Sequence, residues 1–141
     1  MAKILKPKEM NKCLGCFTCM NVCAITNRNN HSLIKSAIRV RTTGGMSSRF
    51  IAIVCLGCAE PACMEKCPSN ALVKRLGGGV LVREDMCVGC RKCEGACIMR
   101  AINFDEERKK PIICRHCGVC ARFCPHDCLQ MVEVKEAIVN A

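Results

Sequence analysis

Tryptophan and tyrosine are missing from this chain, and Phe17, Phe50, Phe104 and Phe123 are its only aromatic side chains. A chain of 141 residues so poor in large side chains cannot build a sizeable apolar core, so something besides hydrophobic burial must hold it together. No apolar run reaches the length of a membrane span; the longest, Phe50 to Leu56, is strand-length. The start, MAKILKPKEMNKC, carries no apolar export segment, and no twin-arginine signal is visible. The expectation is therefore a cytoplasmic protein of an anaerobic or strongly reducing cell. Nucleotide-binding glycine loops, paired-carboxylate sites and Ser/His constellations are also lacking. The expectation that follows is a chain with no catalytic residues of its own.

Cysteine is what the chain has in excess, with 17 residues. Sixteen fall into four runs: Cys13/Cys16/Cys19/Cys23, Cys55/Cys58/Cys63/Cys67, Cys87/Cys90/Cys93/Cys97 and Cys114/Cys117/Cys120/Cys124. Three runs have the spacing C-x2-C-x2-C-x3-C, and the second widens its middle gap to C-x4-C. A disulfide scaffold would require an oxidising compartment and bridges between distant runs, because CxxC neighbours pair poorly. Structural zinc usually draws two ligand pairs from separate turns. Here each run supplies three ligands within one short loop and a fourth slightly beyond, which is the spacing that holds [4Fe-4S] clusters in bacterial-type ferredoxins. Four runs thus predict four clusters with all sixteen cysteines as ligands. Gly15, Gly57, Gly89 and Gly118 lie in the wrapping loops, where bulk would clash or φ would be positive. An apo-protein without its clusters is expected to be largely unfolded.

The formal charge of +10 invites a nucleic-acid reading, but it counts cysteine as neutral. Each ligated oxidised cluster contributes about −2, which brings the loaded chain to roughly +2. Most of the basic excess is then internal counter-charge. His31, His116 and His126 are surplus once cysteine fills the cluster positions. Three of the runs share a continuation: four residues past the last cysteine stand Ala71, Ala101 and Cys128, each followed by Leu or Ile. That register reads Cys128 as a small packing residue, outside the ligand set. The first run departs from it, with Asn27 at the equivalent place.

Between the runs the pattern predicts short strands: a hairpin over 71–83 around Gly77-Gly78-Gly79, and another over 100–113 around a charged turn. A further strand is expected from Leu129 to Val134, with brief helical turns near the last cysteine of each run and a helical or disordered tail from Lys135. The segment from Ala24 to Val54 is polar and basic, with a flexible stretch from Thr42 to Ser48. Its alternating Ile38/Val40 and Ile51/Ile53 read as edge strands. It can be a solvent-facing connection or a docking surface for a catalytic subunit.

The motif Cys13-Leu-Gly-Cys-Phe-Thr-Cys19, the long basic segment and the widened Cys55-Leu-Gly-Cys-Ala-Glu-Pro-Ala-Cys63 ending in Cys67-Pro68 carry a resemblance over nearly the whole chain. The chain resembles the four-cluster iron–sulfur subunits of molybdenum and tungsten oxidoreductases, the dimethyl-sulfoxide-reductase type. Its compactness is most similar to the small polyferredoxin subunits of tungsten aldehyde oxidoreductases. Cys23 and Cys97 depart from the bacterial ferredoxin pattern, being followed by Ala24 and Ile98 in place of Pro. The resemblance implies an α+β fold of two ferredoxin-like units. The outer unit would comprise 1–24 with 110–141 and the inner one 55–109, with 25–54 as the connecting segment.

It also implies nested ligand sets. Cys55, Cys58, Cys63 and Cys97 would hold one cluster, and Cys87, Cys90, Cys93 and Cys67 its twin. Cys13, Cys16, Cys19 and Cys124 would hold a third, and Cys114, Cys117, Cys120 and Cys23 the fourth. Pairing of the third run with the fourth is the alternative that the short gaps leave open. The implied function is single-electron transfer for a tungsten- or molybdenum-pterin subunit, with a flavoprotein or ferredoxin as a second redox partner and stacked copies extending the wire. A hydrogenase or formate dehydrogenase subunit, a free polyferredoxin, and a zinc-loaded nucleic-acid module are the alternatives.

Overall fold

Short hairpins are what this sequence can form, because each strand-forming run is only three to five residues long before a cysteine loop interrupts it. The computed structural model describes residues 3–43 and 49–134. The expected tail from Lys135 and most of the expected flexible Thr42–Ser48 stretch lie outside these residues. Eight strands form four separate two-stranded antiparallel sheets. Strand β1 (Lys3–Pro7) pairs with β8 (Leu129–Glu133), joining the two ends of the described chain. β2 (Arg39–Thr42) pairs with β3 (Phe50–Ile53), β4 (Leu72–Lys74) with β5 (Val80–Val82), and β6 (Asn103–Asp105) with β7 (Lys110–Ile112).

Among the described residues, four α-helices each grow out of a cysteine run. They are α1 (Thr18–Arg28), α2 (Ala62–Glu65), α3 (Lys92–Ala96) and α4 (Val119–Phe123). α1 packs against α4, and α2 against α3. The result is a small mixed α/β fold consistent with a ferredoxin-like 4Fe-4S domain. Three of the helices are the brief turns expected. α1 differs: it continues past Cys23 for three turns in all, because Ala24 and the residues after it are compatible with helix where proline would have stopped it.

Buried side chains gather in two clusters. One joins Leu5, Ile38, Val40, Val54, Ile112 and Leu129 to buried cysteines of the first and fourth runs; the other joins Leu72, Val80, Ile102 and Ile113 to Cys93. The basic segment is much more than a solvent-facing connection. Ser36, Ala37 and Ile38 within it are almost fully buried, and Lys35 is buried against Asp105 and bonded to it. Arg28 reaches Glu84 at 2.8 Å and the Pro111 carbonyl at 3.2 Å, and Arg39 bonds the Arg100 carbonyl. Arg28, Lys35 and Arg39 therefore tie it to the rest of the chain, while His31, Arg41 and Arg49 stay exposed.

The glycine turn of the β4–β5 hairpin has a second task. Gly78 has φ +106 and lies so close to the loop between Cys55 and Cys58 that a Cβ would sit 2.2 Å from the Gly57 carbonyl oxygen. Gly79 donates its N–H to the Cys58 carbonyl at 3.0 Å. Only glycine permits both this backbone conformation and this approach.

Candidate metal centres

Each run builds the same small device. The loop between the first and second cysteine turns through a residue of positive φ, and the second cysteine (Cys16, Cys58, Cys90 or Cys117) is exposed on it. A helix then starts, and the third cysteine (Cys19, Cys63, Cys93 or Cys120) lies on it facing inwards. In the second, third and fourth runs the helix ends at or just before the fourth cysteine, so Cys67, Cys97 and Cys124 leave its end in another direction. Three sulfurs of a run can therefore line one void while the fourth is carried to a different one.

Four cavities result. Cys13, Cys16, Cys19 and Cys124 line one, with Cys128 beside them. Cys55, Cys58, Cys63 and Cys97 line the second, and Cys67, Cys87, Cys90 and Cys93 the third. Cys23, Cys114, Cys117 and Cys120 line the fourth. The structure thus brings all sixteen predicted cysteines into four groups of four, each with three members from one run and one from another. Among the described residues, no three Cys, His, Asp or Glu side chains converge closely enough to hold a single metal ion. Four soft sulfur donors spaced around a void fit a polynuclear iron–sulfur group, which needs one thiolate at each of four corners.

Burial raises the thiols that face inwards: Cys114 and Cys120 to about 12, and Cys19, Cys63 and Cys93 to about 11. Neighbouring thiols add to the effect, and they cross from one cavity to the next. Cys93 acts on Cys63, Cys55 on Cys114, and Cys19 on Cys120. Three pairs of cavities are therefore close neighbours: that of Cys67/Cys87/Cys90/Cys93 with that of Cys55/Cys58/Cys63/Cys97, the latter with that of Cys23/Cys114/Cys117/Cys120, and this one with that of Cys13/Cys16/Cys19/Cys124. N–H groups point at the sulfurs: Ala71 donates to Cys67 at 3.3 Å, Ala101 to Cys97 at 3.4 Å and Cys128 to Cys124 at 3.4 Å. Cys23 receives two such contacts, from the Ala37 N–H at 3.4 Å and from Asn27 Nδ2 at 3.6 Å.

Residues 46–135 match the model of a 4Fe-4S dicluster domain, a stretch that holds the second, third and fourth runs. The chain belongs to the 4Fe-4S dicluster domain family. Its first run lies outside the matched stretch. The chain is 32% identical over 127 residues to an uncharacterized ferredoxin of Methanocaldococcus jannaschii, covering 89% of this chain and 70% of that one. It is 27% identical to the B subunit of the anaerobic dimethyl sulfoxide reductase of Haemophilus influenzae, with 91% and 73% covered. It is also 31% identical to the beta subunit of an NADH-dependent phenylglyoxylate dehydrogenase of Aromatoleum evansii, covering 86% of this chain but 28% of that subunit.

Family membership supports 4Fe-4S clusters as the cofactor. Two residues that the sequence leaves outside the ligand set also lie at the cavities. Cys128 is buried against Cys13 and Cys124. His116, which the sequence offers only as a surplus histidine, is buried between two cysteine loops with its ring Nδ1 accepting the Leu5 N–H at 2.9 Å. Burial, with Arg75 nearby, lowers it to about 4, so the ring is neutral at ordinary pH. A signal for it is present in the sequence: His116 stands in the place that glycine holds in the other three loops. No helix among the described residues is long and apolar enough to cross a membrane.

Proposed function

We propose that the chain is a non-catalytic electron-transfer subunit that carries four [4Fe-4S] clusters in two ferredoxin-like units. The observation that carries this reading is the set of four cavities, each lined by four cysteines with one exchanged between runs. The ligand sets are those four groups, with Cys128 outside them. The clusters supply one-electron redox chemistry; the chain's own part is to hold them apart at fixed spacing, shield them from water and direct N–H groups at their sulfur ligands. The closeness of neighbouring cavities supports a relay from one cluster to the next. Cys16, Cys58, Cys90 and Cys117 are the exposed ligands at which partners would approach.

The partner fitting this subunit is a molybdenum- or tungsten-pterin oxidoreductase, and the resemblance of its motifs points to an aldehyde oxidoreductase. The relation to the B subunit of a dimethyl sulfoxide reductase supports the pterin class. The relation to a phenylglyoxylate dehydrogenase subunit favours a second reading, a partner that oxidises a 2-oxo acid. A cytoplasmic site of action goes with both.

Native purification with metal analysis separates them. About sixteen irons per chain, co-eluting with a larger subunit that contains tungsten or molybdenum, is the expected result. A larger partner free of both metals would favour the 2-oxo-acid reading. Four zincs in a colourless chain would end the electron-transfer proposal.

A further inference from the structure

The wrapping loops of the first three runs turn through glycine just before the second cysteine, with φ +69 at Gly15, +66 at Gly57 and +73 at Gly89. His116 takes that place in the fourth run, with φ 56. The histidine is 4% exposed. Its Nδ1 accepts the Leu5 N–H, which leaves the ring proton on Nε2. That Nε2 is buried and has no hydrogen-bond partner among the described residues. Buried donors in folded proteins are nearly always paired, and this one calls for an acceptor that the described residues do not supply.

The direction of the ring identifies where that acceptor would be. A Cβ built on Gly79 would lie 3.3 Å from Nε2, and one built on Gly57 3.5 Å from it. Gly57 belongs to the loop between Cys55 and Cys58, and Gly79 lines the cavity of those cysteines. The imidazole therefore extends out of one cysteine loop and lies against the next. On the other side, the His116 main-chain N–H contacts Cys114 Sγ at 3.4 Å.

We propose that His116 is a positioning residue between two cluster sites, donating its Nε2–H to the iron–sulfur group held by Cys55, Cys58, Cys63 and Cys97. The inference rests on the four-cluster reading. A donor favours the more negative, reduced form of its acceptor, so His116 raises the potential of that one site. The twin site of Cys67, Cys87, Cys90 and Cys93 is the internal comparison. Its loop glycine, Gly89, meets the Lys109 backbone where Gly57 meets the imidazole.

The test compares the fully loaded chain with His116→Phe, which keeps a ring without a donor, and His116→Gln, which keeps a side-chain N–H. Iron content and the four midpoints are read by EPR-monitored redox titration. In His116→Phe one midpoint should fall, raising the oxidised-to-reduced ratio at fixed potential about tenfold, or about 59 mV for a one-electron couple. His116→Gln should recover most of it. Full iron with no midpoint moved, or with all four moved together, overturns the proposal.

Should His116→Phe fail to fold, labelling only the imidazole nitrogens of histidine with 15N in a His126→Gln chain gives the answer, since the main-chain N–H of His116 lies against Cys114 and His126 is the other histidine beside a cavity. A weak 15N coupling on one reduced cluster supports the donor, and its absence overturns it. Iron short of four clusters in the unmutated chain tells against the four-cluster reading; full iron with unmoved midpoints tells against His116 alone.

Discussion

At the scale of single residues, the fourth cysteine of every run receives an N–H donor. Cys67, Cys97 and Cys124 each take the backbone N–H of the residue four places on. This explains the repeating Ala71, Ala101 and Cys128: the position needs an amide close to a sulfur, and a small side chain allows the approach. Cys23 lies inside a helix, so its contacts come from the Asn27 side chain and from Ala37, far along the chain. Replacing Asn27 with Leu should lower one of the four midpoints and leave the iron content unchanged, as read by redox titration with iron analysis. Cys128→Ala should likewise keep its full iron, because the backbone N–H remains; a chain lacking one cluster would instead make Cys128 a ligand.

Among the elements, the hairpins around the glycine turn and around the charged turn were legible from alternation and turn residues, and so was the strand near Leu129. Strand β1 was not. Lys3–Pro7 is too short and too charged to announce itself, and it becomes a strand because β8 offers it an edge and because Leu5 finds a buried place, 1% exposed, beside Ile112 and Leu129. Leu5→Ala should destabilise the loaded chain by about 2–5 kcal/mol, measured as faster cluster loss in denaturant. The basic segment shows the same limit: charge in the sequence says nothing of which cations turn inwards. Lys35 does, and although burial works to raise the Asp105 carboxyl, donors from Lys35 and from the Arg108 and Glu107 backbone hold it below its ordinary value. A carboxyl lowered by folding contributes stability above its unfolded value and loses it as pH falls through the lower folded one. Asp105→Asn should therefore lower the melting temperature by a constant amount from about pH 8 to 5, with the difference shrinking only below about pH 4.

For the whole molecule, both small buried clusters include cysteines of the runs, so the packing of the chain depends on what those cysteines hold. Iron chelation should leave it largely unfolded by circular dichroism; a cooperative, native-like melt after chelation would contradict this. Thiols raised to about 11 or 12 by burial are protonated near neutral pH, yet a metal ligand must be the thiolate. Loading should thus release protons and become more favourable as pH rises from about 7 to 9, measurable by titrating the acid released during reconstitution.

Spacing within the four runs determined the kind of cofactor on its own, because three donors on one tight loop are a local property that no distant contact has to supply. Register along the chain likewise set the small residue beside each fourth cysteine. The exchange of the fourth cysteine was implied only by resemblance, and the inward turn of Lys35 and the burial of His116 between two loops were decided only by tertiary structure. They depend on packing between segments far apart in the chain, α1 on α4 and β1 on β8, and such contacts leave no trace in the spacing of neighbouring residues.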